Sequence, residues 1–85
     1  MPSKPHVLFY TKPGCHLCED AKREIVNAGC TGLYTFEEIN ILSHPELQRR
    51  YGAEIPVVLI NGVHAFKYSL TAADFRRAIR RESDK

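Results

Sequence analysis

The chain is short of cysteine, of net charge and of long apolar runs, and each shortage closes off a class of protein. Its three cysteines are too few, and odd in number, for the disulfide framework of a small secreted domain. A formal net charge of +2 singles out no polyanionic partner, so neither nucleic acid nor a membrane surface is expected to bind. No stretch is apolar for long enough to span a bilayer, and Met1-Pro2-Ser3-Lys4-Pro5 leads into the first strand-like run without an apolar leader. Repeats, low-complexity segments and internal linkers are missing too. With 44% apolar residues in 85, the chain supports one modest core and no second, so residues 1–85 read as a single domain. The expectation is a soluble, monomeric protein of a reducing, cytoplasmic compartment.

What is present centres on Cys15-His16-Leu17-Cys18. The pair follows the apolar run His6-Val7-Leu8-Phe9-Tyr10 and precedes a helix-like run from Glu19 to Ala28. Two cysteines so spaced at a strand-to-helix junction can close a disulfide across the first helical turn and open it again. Free N–H groups and the helix dipole at a helix N-terminus stabilise a thiolate, lowering a cysteine pKa from ~8.5 to about 3.5–7.5. The chain therefore reads as a thiol–disulfide exchanger.

Along the chain the pattern alternates. His6 to Thr11 is a strand, broken by Pro13-Gly14. Leu17, Ala21, Ile25 and Ala28 share one helical face, Glu19, Asp20, Lys22, Arg23 and Asn27 the other, and Gly29 marks the stop. Tyr34 to Ile41 reads as a second strand whose Glu37 and Glu38 suit an edge. Ser43 and Glu46 have capping-box spacing ahead of a short helix that buries Leu47 and Tyr51 and stops at Gly52. Pro56 to Ile60 is the most apolar strand, with its proline at the start. Asn61-Gly62 then signals a hairpin returning through Val63 to Tyr68. Thr71 and Asp74 cap a last helix, stapled by Leu70 and Phe75, with Phe75, Ala78 and Ile79 facing the core.

The order β-α-β-α-β-β-α gives a parallel crossover unit plus an antiparallel hairpin, hence an α/β fold: a four-stranded mixed sheet flanked by three helices. Cys15 then lies at the carboxyl end of the first strand, the edge where ligands bind in open α/β sheets.

That order, the CxxC opening the first helix and Ile55-Pro56 opening the third strand together resemble the thioredoxin fold in its minimal, glutaredoxin form. The string Tyr10-Thr11-Lys12-Pro13-Gly14-Cys15-His16-Leu17-Cys18-Glu19-Asp20-Ala21 is especially similar to the small glutaredoxin-like proteins. The resemblance implies an oxidoreductase with a redox-active Cys15–Cys18 disulfide, no resident cofactor, and a disulfide-bearing protein or small thiol as substrate. Either a reductase or glutathione would recycle it. Cys15 would attack and Cys18 would resolve the mixed disulfide. Pro56 would be cis and face the motif, with Ile55 offering backbone groups to a peptide or to glutathione. Lys12 would lower the Cys15 pKa or hold a substrate carboxylate, against the plainer reading of a solvated lysine.

The chain also departs from these relatives. Phe9 stands where thioredoxins carry a buried aspartate, and no tryptophan precedes the motif. Phe66-Lys67 replaces the usual glycine pair, so crowding at the glutathione site is expected. His16 either makes the disulfide more oxidising or is a solvent-facing residue. Cys30 reads as a small buried hydrophobe, and Arg76, Arg77, Arg80 and Arg81 as a solvated helix face. His44 and His64 have no metal-ligand spacing. Two rival readings remain: a zinc or copper module using the CxxC thiolates, and a redox-inactive interaction domain. Structural zinc wants four ligands, and one CxxC supplies two.

Overall fold

The computed structural model describes residues 4–83, so the leader-free reading of Met1-Pro2-Ser3 lies outside the described residues. The elements are β1 (His6–Thr11), α1 (His16–Asn27), β2 (Thr35–Asn40), a 3-10 turn (Ile41–Ser43), α2 (Pro45–Tyr51), β3 (Val57–Ile60), β4 (Val63–Lys67) and α3 (Ala72–Ser83). The sheet runs β2-β1-β3-β4, with β1 parallel to β2 and antiparallel to β3, and β3 antiparallel to β4. This is the expected mixed α/β sheet, with the charged β2 at one edge.

Alternation along β1 sorts the two faces. Val7, Phe9 and Thr11 point to the side covered by α1 and α3, where Phe9 meets Phe36 at 5.9 Å and Tyr34 meets Phe75 edge-on at 5.3 Å. Tyr10 points to the opposite side and stacks on Tyr51 of α2 at 5.0 Å. Phe9, Val57, Val58, Phe75 and Ile79 are all 0% exposed and form the centre of the core.

Asn61 and Gly62 both have positive φ, 53° and 80°, as a type I′ hairpin turn requires. Asn61 also ties the hairpin to β1: its N–H donates to the His6 carbonyl at 2.8 Å, and its side-chain oxygen accepts the His6 N–H at 2.9 Å. Val58 pairs with Phe66 and Leu59 with His64, leaving Ala65 as an extra residue in β4.

Four local expectations need correction. α1 begins at His16, three residues before the helix-like run that starts at Glu19, because Cys15 itself caps it. Leu17 is 49% exposed, since α1 buries Cys18, Ala21 and Ile25 and turns its first-turn leucine outward. Ser43 caps nothing: the 3-10 turn absorbs it, α2 starts from His44 without a side-chain cap, and Pro45 supplies the pre-set φ. Leu47 and Tyr51 are only half-buried.

Arg76 also departs from the solvated face. It is half-buried, and its Nε donates to the Ala28 carbonyl at the end of α1 at 2.9 Å. Glu24 of α1 reciprocates, accepting the Ala72 N–H at the start of α3 at 3.0 Å. Each helix thus receives, at its end, a side chain of the charge its dipole favours. Thr71 Oγ1 accepts the Asp74 N–H at 3.1 Å, and Leu70 and Phe75 are buried beside it as the staple predicts.

Candidate active site

The site grows from the end of β1. After Thr11 the loop Lys12-Pro13-Gly14 turns sharply, with Gly14 at φ +76°, a conformation that glycine adopts without a Cβ penalty. The Cys15 N–H donates to the Lys12 carbonyl at 3.4 Å, closing the turn. Cys15 has extended φ/ψ (−85°, 106°) and is the N-cap of α1, its sulfur accepting the Cys18 N–H at 3.2 Å. Cys15 and Cys18 are joined as a disulfide with Cα atoms 5.2 Å apart. Cys18 is 1% exposed, while Cys15 is half-exposed and packs only against the edge of the core. Between them His16 and Leu17 face solvent, and His16 Nε2 lies 3.7 Å from Asp20, which Arg23 also engages at 3.2 Å.

A cleft of about 420 Å³ opens beside the pair. Lys12, Cys15 and Cys18 line it together with Glu19 and Lys22 of α1, and Glu38 and Asn40 close it from β2. Lys22 Nζ donates to both Glu38 oxygens, at 3.2 and 3.1 Å. Only the place of Lys22 had a faint sequence signal, its i+4 spacing from Cys18 on α1. Glu38, seen only as an edge charge, gave no hint that its carboxylate reaches the cysteines' cleft.

Ile55 and Pro56 are buried and lie outside the lining of that cleft. The Ile55–Pro56 bond is cis. Pro56 immediately precedes Val57, the partner of Tyr10, so the Ile55–Pro56 peptide sits at the sheet end where β1 gives way to the Cys15 loop. Phe66 lines a separate groove between β4 and α3, with Ile60 and Ala78. The segment flanking Pro56 is instead Lys67-Tyr68. The Tyr68 N–H donates to the Pro56 carbonyl at 2.9 Å and the Glu54 carbonyl at 3.2 Å, and Tyr68 has φ 69°. Lys67 sits 5.5 Å over the Tyr68 ring and 3.7 Å from Glu54.

Burial pushes the Tyr10 hydroxyl above its ordinary value of 10.0, helped by the neighbouring Tyr51. Tyr34 is raised likewise, by burial first and then by Cys30. Cys30 itself is 3% exposed, the buried hydrophobe expected. Among the described residues, no three His, Cys, Asp or Glu side chains converge as a metal site, and no helix is long and apolar enough to cross a membrane.

The family profile of the glutaredoxin-like domain matches residues 6–80. The chain belongs to that family. Its fold is also that of solved proteins with little sequence in common. A structural-genomics target from X. campestris shares 23% identity at a TM-score of 0.74, the match covering 88% of this chain and 96% of that one. Protein Ne2328 from Nitrosomonas europaea shares 22% at 0.75, covering 93% and 95%. Chloroplastic thioredoxin z shares 15% at 0.77, covering 96% of this chain and 80% of its own. No curated protein matches the sequence. The glutaredoxin-like family, the thioredoxin fold and the Cys15–Cys18 pair at a helix start thus come together in this chain.

Proposed function

We propose that the protein is a thiol–disulfide oxidoreductase that reduces or exchanges disulfides of a protein or small-thiol substrate in a reducing, cytoplasmic setting. One observation carries the reading: Cys15 caps α1 with its sulfur on a backbone N–H, half-exposed, while its disulfide partner Cys18 is buried one turn in. In the reduced protein the same N–H and the helix dipole favour a Cys15 thiolate. That thiolate attacks a substrate disulfide, one substrate thiol leaves, and a mixed disulfide forms on Cys15. Cys18 then attacks Cys15 Sγ, releasing the second substrate thiol and restoring the internal disulfide. A reductase or glutathione supplies the two electrons that reopen it. To Lys12, which lines the cleft with Cys15, this reading gives the role of meeting a substrate carboxylate, and to the backbone groups of Ile55, ahead of the cis Pro56, that of pairing with an extended substrate.

Limiting iodoacetamide at neutral pH tests the assignment: Cys15 is expected to be labelled first, and Cys18→Ser to accumulate a mixed disulfide that Cys15→Ser does not form. Preferential labelling of Cys18 would reverse the two roles. Metal content after purification without chelator distinguishes the zinc or copper reading, and absence of any disulfide turnover the redox-inactive one.

A further inference from the structure

The cycle above ends with Cys18 attacking Cys15, and a thiol must shed its proton before it attacks. Cys18 is 1% exposed, and the cleft it lines is its route to water. The proton has to leave through the cleft, whose lining carries two carboxylates, Glu19 and Glu38. They are not equivalent. Glu19 follows Cys18 directly, and consecutive helical residues point about 100° apart, so the two side chains do not face each other. Lys22 is i+4 from Cys18, its neighbour on the same face one turn on. Lys22 Nζ grips both oxygens of Glu38, at 3.2 and 3.1 Å, and so holds that carboxylate against the side of α1 that carries Cys18. Glu38 arrives there because β2 pairs in parallel with β1 in the register Phe9 to Glu38, which points it to the same face as the buried Phe9.

We propose that Glu38, held by Lys22, receives the Cys18 proton through water in the cleft when the mixed disulfide is resolved. This rests on the redox reading of the pair. From Cys15–S–S–R, the Cys18 S–H proton passes to the Glu38 carboxylate, and the Cys18 sulfur bonds to Cys15 Sγ. The Cys15–S–R bond breaks and RS⁻ leaves, taking up the proton from Glu38 or from solvent. Over both steps the substrate disulfide gains two electrons and the Cys15, Cys18 dithiol loses two. Glu38 acts through water and is a positioning residue for the proton, not a group in contact with the reacting sulfurs.

Stopped-flow reaction of the reduced protein with 4,4′-dithiodipyridine separates the steps, since one thiopyridone leaves when Cys15 attacks and a second when Cys18 resolves. A Cys30→Ala background removes the third thiol. Glu38→Gln is expected to keep the first phase and slow the second on the order of 10²-fold at neutral pH. The deficit should shrink as rising pH ionises Cys18 unaided. Lys22→Gln, which keeps the carboxylate but releases its hold, should slow the second phase by a smaller factor that also shrinks as pH rises, and Glu19→Gln not at all. A native second phase in Glu38→Gln overturns the proposal. So does a pH-independent slowing matched by Lys22→Gln, which would make the ion pair a structural tether, or a slowing seen in Glu19→Gln instead. If the native protein releases only one equivalent, the redox reading itself fails, and this proposal with it.

Discussion

Tyr34 shows what burial does to one side chain. Its hydroxyl sits above the ordinary 10.0 because the folded state disfavours the phenolate, and Tyr10 behaves in the same way. A raised folded value means that the unfolded chain gives up its proton first as pH rises. The stability is therefore full below 10.0 and drains away as pH climbs through the raised folded values. Urea midpoints taken from about pH 9 to about pH 11 should fall, and Tyr34→Phe should make that fall shallower than in the native protein. An identical slope in both would show that Tyr34 contributes nothing to it. At this scale the cysteines, Asn61-Gly62 and Pro56 are legible in the sequence because their chemistry or backbone demand is local. Leu17 and Arg76 are not. Which way a first-turn leucine points, and which carbonyl an arginine finds, depends on the neighbour packed against the helix.

Helices α1 and α3 illustrate the next scale. Their termini are cross-capped by Glu24 on the Ala72 N–H and Arg76 on the Ala28 carbonyl. Neither cap follows the local rules that place Ser, Thr, Asp or Asn just ahead of a helix, so sequence inspection finds Thr71 and misses Glu24. Glu24→Ala is expected to cost about 1 kcal/mol by losing a cap and a favourable dipole contact. Arg76→Ala should cost a similar amount, about 1 kcal/mol, by freeing the Ala28 carbonyl. Urea denaturation with an unchanged m-value is the measurement, and a shift below its error for both would show the clamp to be ornamental. The Ser43–Glu46 spacing is the converse case: the pattern is present, but the 3-10 turn after β2 uses Ser43 and leaves α2 to Pro45.

Across the whole molecule, the strand order decides what surrounds the disulfide. β2 brings Glu38 and Asn40 to one flank, and the β3–β4 hairpin brings Lys67 and Tyr68 to the Glu54–Pro56 edge. Of the Phe66-Lys67 pair expected to crowd a glutathione site, Phe66 lines the β4–α3 groove while Lys67 pairs with Val57, next to Pro56. Any obstruction beside Pro56 therefore falls to Lys67 and Tyr68, whose N–H is already spent on the Pro56 and Glu54 carbonyls. Glutathione-coupled turnover is expected to run on the order of 10²-fold below an ordinary dithiol glutaredoxin, the scale of loss for a ligand held about 1 Å out of place. Tyr68→Gly removes the ring and suits the positive φ, so it should raise that turnover without loss of stability. Native turnover equal to the reference enzyme would mean that this edge is open as it stands.

Element order, the single core, the Cys15–Cys18 pair at a helix start and the apolar strand that follows Ile55-Pro56 all follow from the linear chain. Their signals are periodicities and turn chemistries that act over a few residues, where hydrogen-bond geometry alone constrains the backbone. The partnership of Lys22 with Glu38, the reciprocal caps of α1 and α3 and the side of the sheet that receives Phe66 do not. Each depends on a pairing between segments far apart in sequence, and the register of β1 with β2, the bulge at Ala65 and the packing of α1 against α3 decide it. A shift of one residue in such a register moves every side chain of a strand to the other face. The carboxylate beside the cysteines is thus a product of the assembled sheet.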